Sequence, residues 1–286
     1  MKMALIIDGR KVAAAIREEV KSEVDRLKER GIVPRLAVIL VGEDPASVLY
    51  SRSIEKACTR AGVEYELFAL PAGIPEDDVV ALLSRLNEDG SVHGIMVELP
   101  LPKQMNRQKV LEAVSPVKDV DGVHPVNRGY IMSNSEGLFP TTPMSCIEIM
   151  LRNGIEIKGK HAVLVGRGES VGKPLVYMML NQNATVTVCH TFTNDLAYHT
   201  RQADILVVAV GKAGMITGDM VKPGAVVVDA GINEAKDGGI CGDVDFDSVA
   251  RVAGAISPVP GGVGSLTTTL ILKNTLKAIR LQGGKV

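Results

Sequence analysis

Short apolar runs rich in β-branched residues alternate with segments of helical periodicity, and this alternation constrains the fold more than any other feature of the chain. Leu36 to Val41 reads as a buried strand, and Gly94 to Leu99, His161 to Val165, Thr185 to Cys189, Ile205 to Val210 and Ala225 to Asp229 read as further strands. Between them lie helical patterns. Val12, Ile16, Val20, Val24 and Leu27 recur at helical spacing, and Gly31 and Pro34 end that helix. Asp44 suits an N-cap and Pro45 a first helical position, so a helix runs from there to Ala61, with Gly62 as its stop. Asp77 to Asn87, Val171 to Leu180 and Leu266 to Leu281 complete the set. Strand–helix–strand order of this kind makes parallel sheet, so the fold class is α/β. Two runs of alternation are separated by a loop-rich stretch, Ser115 to Thr142. The domain junction is placed in that stretch.

Composition narrows the function classes. Hydrophobic residues make up 46% of the 286 positions but aromatics only 3%, with no Trp, so the core is aliphatic. The net charge of −1 leaves no electrostatic footprint for nucleic acid or an anionic membrane. No apolar run approaches the ~18 residues a membrane span needs, and MKMALIIDGRK is too short in its apolar part for a signal peptide. Cys58, Cys146, Cys189 and Cys241 are scattered without a CxxC pair, which fits reduced thiols in a cytoplasmic protein and argues against a metal site.

The strand at 161–165 leads into Gly166-Arg167-Gly168-Glu169-Ser170-Val171-Gly172 and then a helix. Glycines there let backbone pass close to a pyrophosphate, and the helix N-terminus offers free N–H groups and partial positive charge. A tight strand-to-helix turn would look similar, but the flanking strand and helix are those a dinucleotide site requires. The second strand ends in Cys189-His190-Thr191, without the carboxylate that holds a ribose 2′-hydroxyl in NAD-specific folds. Arg167 beside the loop and the Thr191 hydroxyl favour the 2′-phosphate of NADP over NAD.

Four further peptides carry a resemblance: Val41 to Ser47 (VGEDPAS), Leu99 to Pro102 (LPLP), Lys118 to Gly122 (KDVDG) and Pro258 to Gly264 (PVPGGVG). With the GRG loop and Cys189-His190 they resemble the bifunctional methylenetetrahydrofolate dehydrogenase/methenyltetrahydrofolate cyclohydrolase family, in that family's order and over nearly the whole chain. The resemblance implies two α/β domains with a cleft between them, the first over 1–140 and completed by a C-terminal helix at 266–286, the second a Rossmann-like doubly wound domain over 141–265. It implies a homodimer that oxidises 5,10-methylenetetrahydrofolate to the methenyl cation with NADP, and in many members hydrolyses that cation in the same pocket. It implies that Tyr50 lies against the folate and that Asp121 holds the pterin. A single carboxylate can accept from both the amino group and the ring N–H of a pterin edge. Val97, Glu98, Leu99, Pro100, Pro260, Gly261 and Gly262 complete the implied substrate site. His190, Gly211, Gly231 and Ile232 join Gly166, Arg167, Gly168, Ser170, Val171, Gly172 and Thr191 on the cofactor.

Two positions depart from the family pattern. The family places a lysine four residues after the tyrosine, where this chain has Ile54, and a glutamine where it has Glu98. Ile54 shares a helix face with Tyr50, whereas Lys56 is roughly 200° further round and cannot serve instead. Hydride loss needs chiefly alignment, whereas hydrolysis needs a positioned acid or base. The expectation is a dehydrogenase with its cyclohydrolase activity in doubt. The alternatives are a full bifunctional enzyme using Glu98 and a folate-binding protein without turnover.

Overall fold

The computed structural model describes residues 3–235 and 238–283. Residues 284–286, the tail of the expected C-terminal helix 266–286, lie outside that range. The chain opens with β1 (Leu5–Ile6), α1 (Gly9–Glu29), β2 (Arg35–Val41), α2 (Pro45–Ala61), β3 (Glu64–Leu70), α3 (Glu76–Glu88) and β4 (Gly94–Val97). It continues through α4 (Arg107–Glu112), α5 (Pro125–Met132), α6 (Thr141–Leu151), β5 (His161–Val165), α7 (Gly172–Asn181), β6 (Thr185–Cys189), α8 (Leu196–Thr200), β7 (Ile205–Val208) and β8 (Val226–Asp229). It closes with β9 (Asn233–Glu234), β10 (Ile240–Cys241), α9 (Phe246–Val249), β11 (Ala255–Ile256) and α10 (Thr267–Leu281). No described helix is long and apolar enough to cross a membrane.

Two compact units form. One comprises Ala15–Thr141 and Thr268–Val286; the other comprises Met1–Ala14 and Thr142–Thr267. The expected grouping of residues 1–140 therefore differs at its start. The first residues belong with the second unit because β1 pairs in parallel with β11, Leu5 opposite Ala255.

In the first unit a parallel sheet in the order β3-β2-β4 carries the core. Ala37, Ile39, Val41, Val79, Leu83, Ile95 and Val97 are all buried in it. Strand β3 was not apparent in the sequence, because GluTyrGluLeuPheAlaLeu mixes charge with apolar residues; as an edge strand it leaves alternate positions in solvent. The stretch 115–142, expected as loop, holds the short helix α5, capped by the His124 ring accepting from Val126 N at 3.1 Å. Asp44 caps α2 as expected, accepting from Ser47 N at 2.9 Å, and Gly62 ends it at φ +76°.

The second unit is built on an all-parallel six-stranded sheet in the order β1-β11-β8-β7-β5-β6. Its core is Val163, Val165, Leu206, Val208, Val227 and Ile256 with their neighbours. Both sheets reverse strand order at an inner strand, β2 in one and β5 in the other. Doubly wound sheets bind ligands at the strands' C-terminal ends at such a reversal.

Candidate active site

In the first unit the reversal lies between β2 and β4. Glu98 follows β4 directly, its backbone N–H donating to Ile39 O at 2.9 Å. The side chain is 3% exposed and its Oε1 has no hydrogen-bond partner. Burial, reinforced by the charge of Asp121, pushes the Glu98 carboxyl up to about 8. Such a group is largely a neutral acid near pH 7, and in that form it matches the shape and charge of a glutamine. Ser47 Oγ stands 3.0 Å from Leu99 O and tethers the segment after Glu98 to α2. The Leu99–Pro100 peptide is cis.

The KDVDG segment divides its labour. Lys118 is 4% exposed and donates its ammonium to Leu86 O at 3.0 Å and Asp89 O at 2.8 Å. Asp119, 2% exposed, accepts from Val123 N, His124 N and Asn127 Nδ2 at 3.2, 2.8 and 2.9 Å. Both therefore brace the loop. Asp121 is not the N-cap of α5; it is partly buried. Desolvation and the Asp119 charge push its carboxyl up to about 7, opposed by the guanidiniums of Arg128 and Arg107 and by the Thr141 hydroxyl. Gly122 turns the chain at φ +67°, where a Cβ would lie 2.3 Å from Phe139 C. From α10, Asn274 donates to Val120 O at 2.7 Å and Phe139 O at 2.9 Å, which holds both sides of this turn.

On α2, Tyr50 is half-buried and Lys56 exposed. Ile54 is wholly buried, 0% exposed, so the position brings an aliphatic side chain into the core. Sequence reasoning missed Ser51 and Tyr65, whose hydroxyls meet at 2.6 Å. The Tyr65 phenol is raised by burial, which outweighs the opposing hydrogen bond with Ser51.

In the second unit the reversal lies between β5 and β7, and the glycine loop follows β5. Gly166 sits at φ +119°, and a Cβ there would lie 2.1 Å from Ala209 O on the segment after β7. Gly172 packs as tightly, 2.4 Å from Gly166 O. Gly168 differs: nothing lies within 4 Å of its Cβ position. Two glycines thus close the turn and the third faces open space. Val171, at the N-cap of α7, gives no side-chain hydrogen bond to the helix end, and Ser170 beside it is exposed. The arrangement fits a pyrophosphate. Arg167 and Thr191 are exposed and His190 half-buried.

The segments after β7 and β8 are held by two buried carboxylates, Asp229 at the end of β8 and Asp243 in CysGlyAspValAsp, whose bracing role sequence reasoning overlooked. Asp243, 0% exposed, accepts from Val210 N at 2.6 Å, Gly211 N at 3.0 Å, Lys212 N at 2.8 Å and Asn233 Nδ2 at 2.9 Å. Asp229 accepts from Gly231 N, Asp243 N and Val244 N at 2.9, 3.1 and 2.9 Å; burial nevertheless raises it to about 6. Gly231 is glycine because a Cβ would meet the Asp243 carboxylate at 2.2 Å. Ile232 beside it is 69% exposed. The Val259–Pro260 peptide is cis. Gly261 takes φ +110°, and a Cβ on Gly262 would lie 2.4 Å from Pro258 O. The backbone conformation at Gly261 and the packing at Gly262 thus already call for glycine. Among the described residues no three His, Cys, Asp or Glu side chains gather as a metal site.

Known proteins share this architecture. The Campylobacter jejuni bifunctional methylenetetrahydrofolate dehydrogenase/cyclohydrolase is 44% identical, with a TM-score of 0.95 over 98% of this chain and 99% of that one. A Trypanosoma brucei enzyme of the same name, solved with NADP and an inhibitor, is 37% identical with a TM-score of 0.93, over 99% of each chain. The bifunctional protein FolD 2 of Desulfitobacterium hafniense is 62% identical over 280 residues, 98% of each chain. Residues 7–121 match the catalytic domain of tetrahydrofolate dehydrogenase/cyclohydrolase and residues 140–283 its NAD(P)-binding domain. The chain therefore belongs to the tetrahydrofolate dehydrogenase/cyclohydrolase family.

Proposed function

We propose that this protein oxidises 5,10-methylenetetrahydrofolate to the methenyl cation with NADP, and hydrolyses that cation weakly or not at all. NADP, when bound, supplies the hydride acceptor. The chain supplies position and field. Asp121 holds the pterin by accepting its N–H groups, and Tyr50 packs against the folate. Val97, Leu99 and Pro100 shape the wall around Glu98. Pro260, Gly261 and Gly262 present backbone to the substrate. Gly166, Gly168, Ser170, Val171 and Gly172 cradle the pyrophosphate; Arg167, His190 and Thr191 take the adenosine end, and Gly211, Gly231 and Ile232 line the rest.

The observation that carries the reading is Ile54, 0% exposed, where the family pattern has an amine. Adding water to the cation and collapsing the adduct require proton transfers, worth about 10²–10⁴-fold when a group is positioned for them. An aliphatic side chain contributes none. Hydride transfer needs no such group, because the flanking nitrogen lone pairs drive it.

A second reading has support in Glu98 itself. A buried carboxyl near 8 has its proton poised for exchange near neutral pH. In that case both activities survive and Glu98 serves the hydrolysis. Assaying purified protein for cofactor reduction and for loss of the methenyl form separates the two. The first reading expects brisk reduction and hydrolysis close to the rate in buffer. Ile54→Lys alone places an ammonium near an acidic pair that keeps it protonated; Ile54→Lys with Glu98→Gln should restore more hydrolysis than the two single changes together. Strong hydrolysis in the unaltered protein, lost in Glu98→Gln, establishes the second reading. The family resemblance also supports a cytoplasmic homodimer, which light scattering on the purified protein checks as to assembly.

A further inference from the structure

Phe192 is 79% exposed, more than any other large apolar side chain among the described residues. It sits just past β6, on a turn that leaves it little freedom. His190 N donates to Thr193 Oγ1 at 2.8 Å, Thr193 N returns to His190 O at 2.8 Å, and Phe192 N donates to His190 Nδ1 at 3.1 Å. The His190 ring meets the Phe192 ring edge-on, with centroids 6.2 Å apart at 73°. Across the sheet end, Arg167 Cζ lies 5.7 Å from the Phe192 centroid. The two residues spring from paired strands, Val165 opposite Cys189, and Gly166 N donates to Cys189 O at 2.9 Å.

An exposed ring on a braced turn is poorly explained by core packing, and its edge and face meet His190 and Arg167 instead. A guanidinium on an aromatic face is held by the ring's quadrupole, while its N–H donors lie around its edge and stay available. Those donors fork naturally onto a phosphate monoester. The stacked arginine has already given up part of its rotamer freedom, so less is lost when it takes an anion.

We infer that Phe192 is a specificity-determining residue: its ring holds the Arg167 guanidinium where it receives the 2′-phosphate of the cofactor. This rests on the NADP reading above. The test uses full-length protein, isothermal titration and two probes, 2′,5′-ADP and 5′-ADP, with KM for NADP and NAD alongside. Phe192→Ala should weaken 2′,5′-ADP binding and raise the KM for NADP about three- to tenfold, and change the other probe less than about twofold, with kcat unaltered. Phe192→Trp should keep the preference. In an Arg167→Ala background the loss of the ring should cost nothing further. Equal weakening of both probes would overturn the inference, since the ring would then serve the adenine. So would a Phe192→Ala protein that keeps its preference while Arg167→Ala loses it, and that result leaves the NADP reading intact. If Arg167→Ala itself leaves the preference unchanged, both the role of Arg167 and this inference fall.

Discussion

Glu98 shows how one side chain can carry opposite consequences for stability and chemistry. Its carboxyl in the folded protein stands near 8, against an ordinary value of 4.5. Between those values the folded state keeps a proton that the unfolded chain releases. The associated stability is full below about 4.5 and is lost as pH rises through 8. Glu98→Gln, neutral throughout, should flatten the curve of Tm against pH and make the protein more stable than the unaltered one above pH 8, by roughly 1–3 kcal/mol. Thermal melts across that range check it; parallel curves for the two proteins would mean that the carboxyl stays ionised in the fold. The sequence could show that a carboxylate replaced an amide here. It could not show the burial and the neighbouring Asp121, which decide the protonation state.

At the level of elements, the loops that border the second unit's reversal are held from behind. Asp243 receives four N–H donors, two on each oxygen, and three of them come from consecutive backbone positions after β7. Asp243→Asn preserves size, yet whichever way the amide turns, its NH2 faces two donors. The expected result is a loss of at least about 3 kcal/mol and a weaker affinity for NADP, while folate affinity in the surviving folded fraction is retained. Denaturant melts and separate titrations with each ligand check this. An unchanged NADP affinity would limit Asp243 to a role in folding. Asn274 plays the matching part in the first unit, tying α10 to the turn that carries Asp121. Neither residue stood out in the sequence, because a buried polar brace has no periodicity of its own.

For the molecule as a whole, strands β2, β4, β5, β7 and β8 were legible because parallel strands buried on both faces are apolar runs, and the edge strand β6, ThrValThrValCys, because all but its last residue are β-branched. Helices α1, α2, α3, α7 and α10 were legible through their spacing and caps. Strands β1, β9, β10 and β11 were not, for two residues carry no pattern. With them went the discontinuity of the units: β1 belongs to the second, although α2 to β4 belong to the first. The glycine loop and KDVDG were readable as motifs, whereas the bracing roles of Lys118 and Asp119, and their contrast with the partly buried Asp121, are set by the fold. A consequence follows for dissection. Separate chains of residues 1–140 and 141–286 each lack a piece that the other carries, α10 for the first and β1 for the second. Neither should fold cooperatively alone, and together they should regain circular dichroism and a single melt. A sharp transition in the isolated 1–140 chain would show that α10 is dispensable.

The exposed ring of Phe192 has an optical consequence. The chain contains no Trp, so its emission comes from a few tyrosines. A Phe192→Trp protein would carry one indole, standing in solvent on a fixed turn beside the guanidinium. Arrival of a dinucleotide would change the polarity around that indole, and a reduced nicotinamide absorbs where indole emits. Binding would then be visible directly in the light from a single position, without turnover and without a label, and titrations with and without the 2′-phosphate could be followed on the same signal.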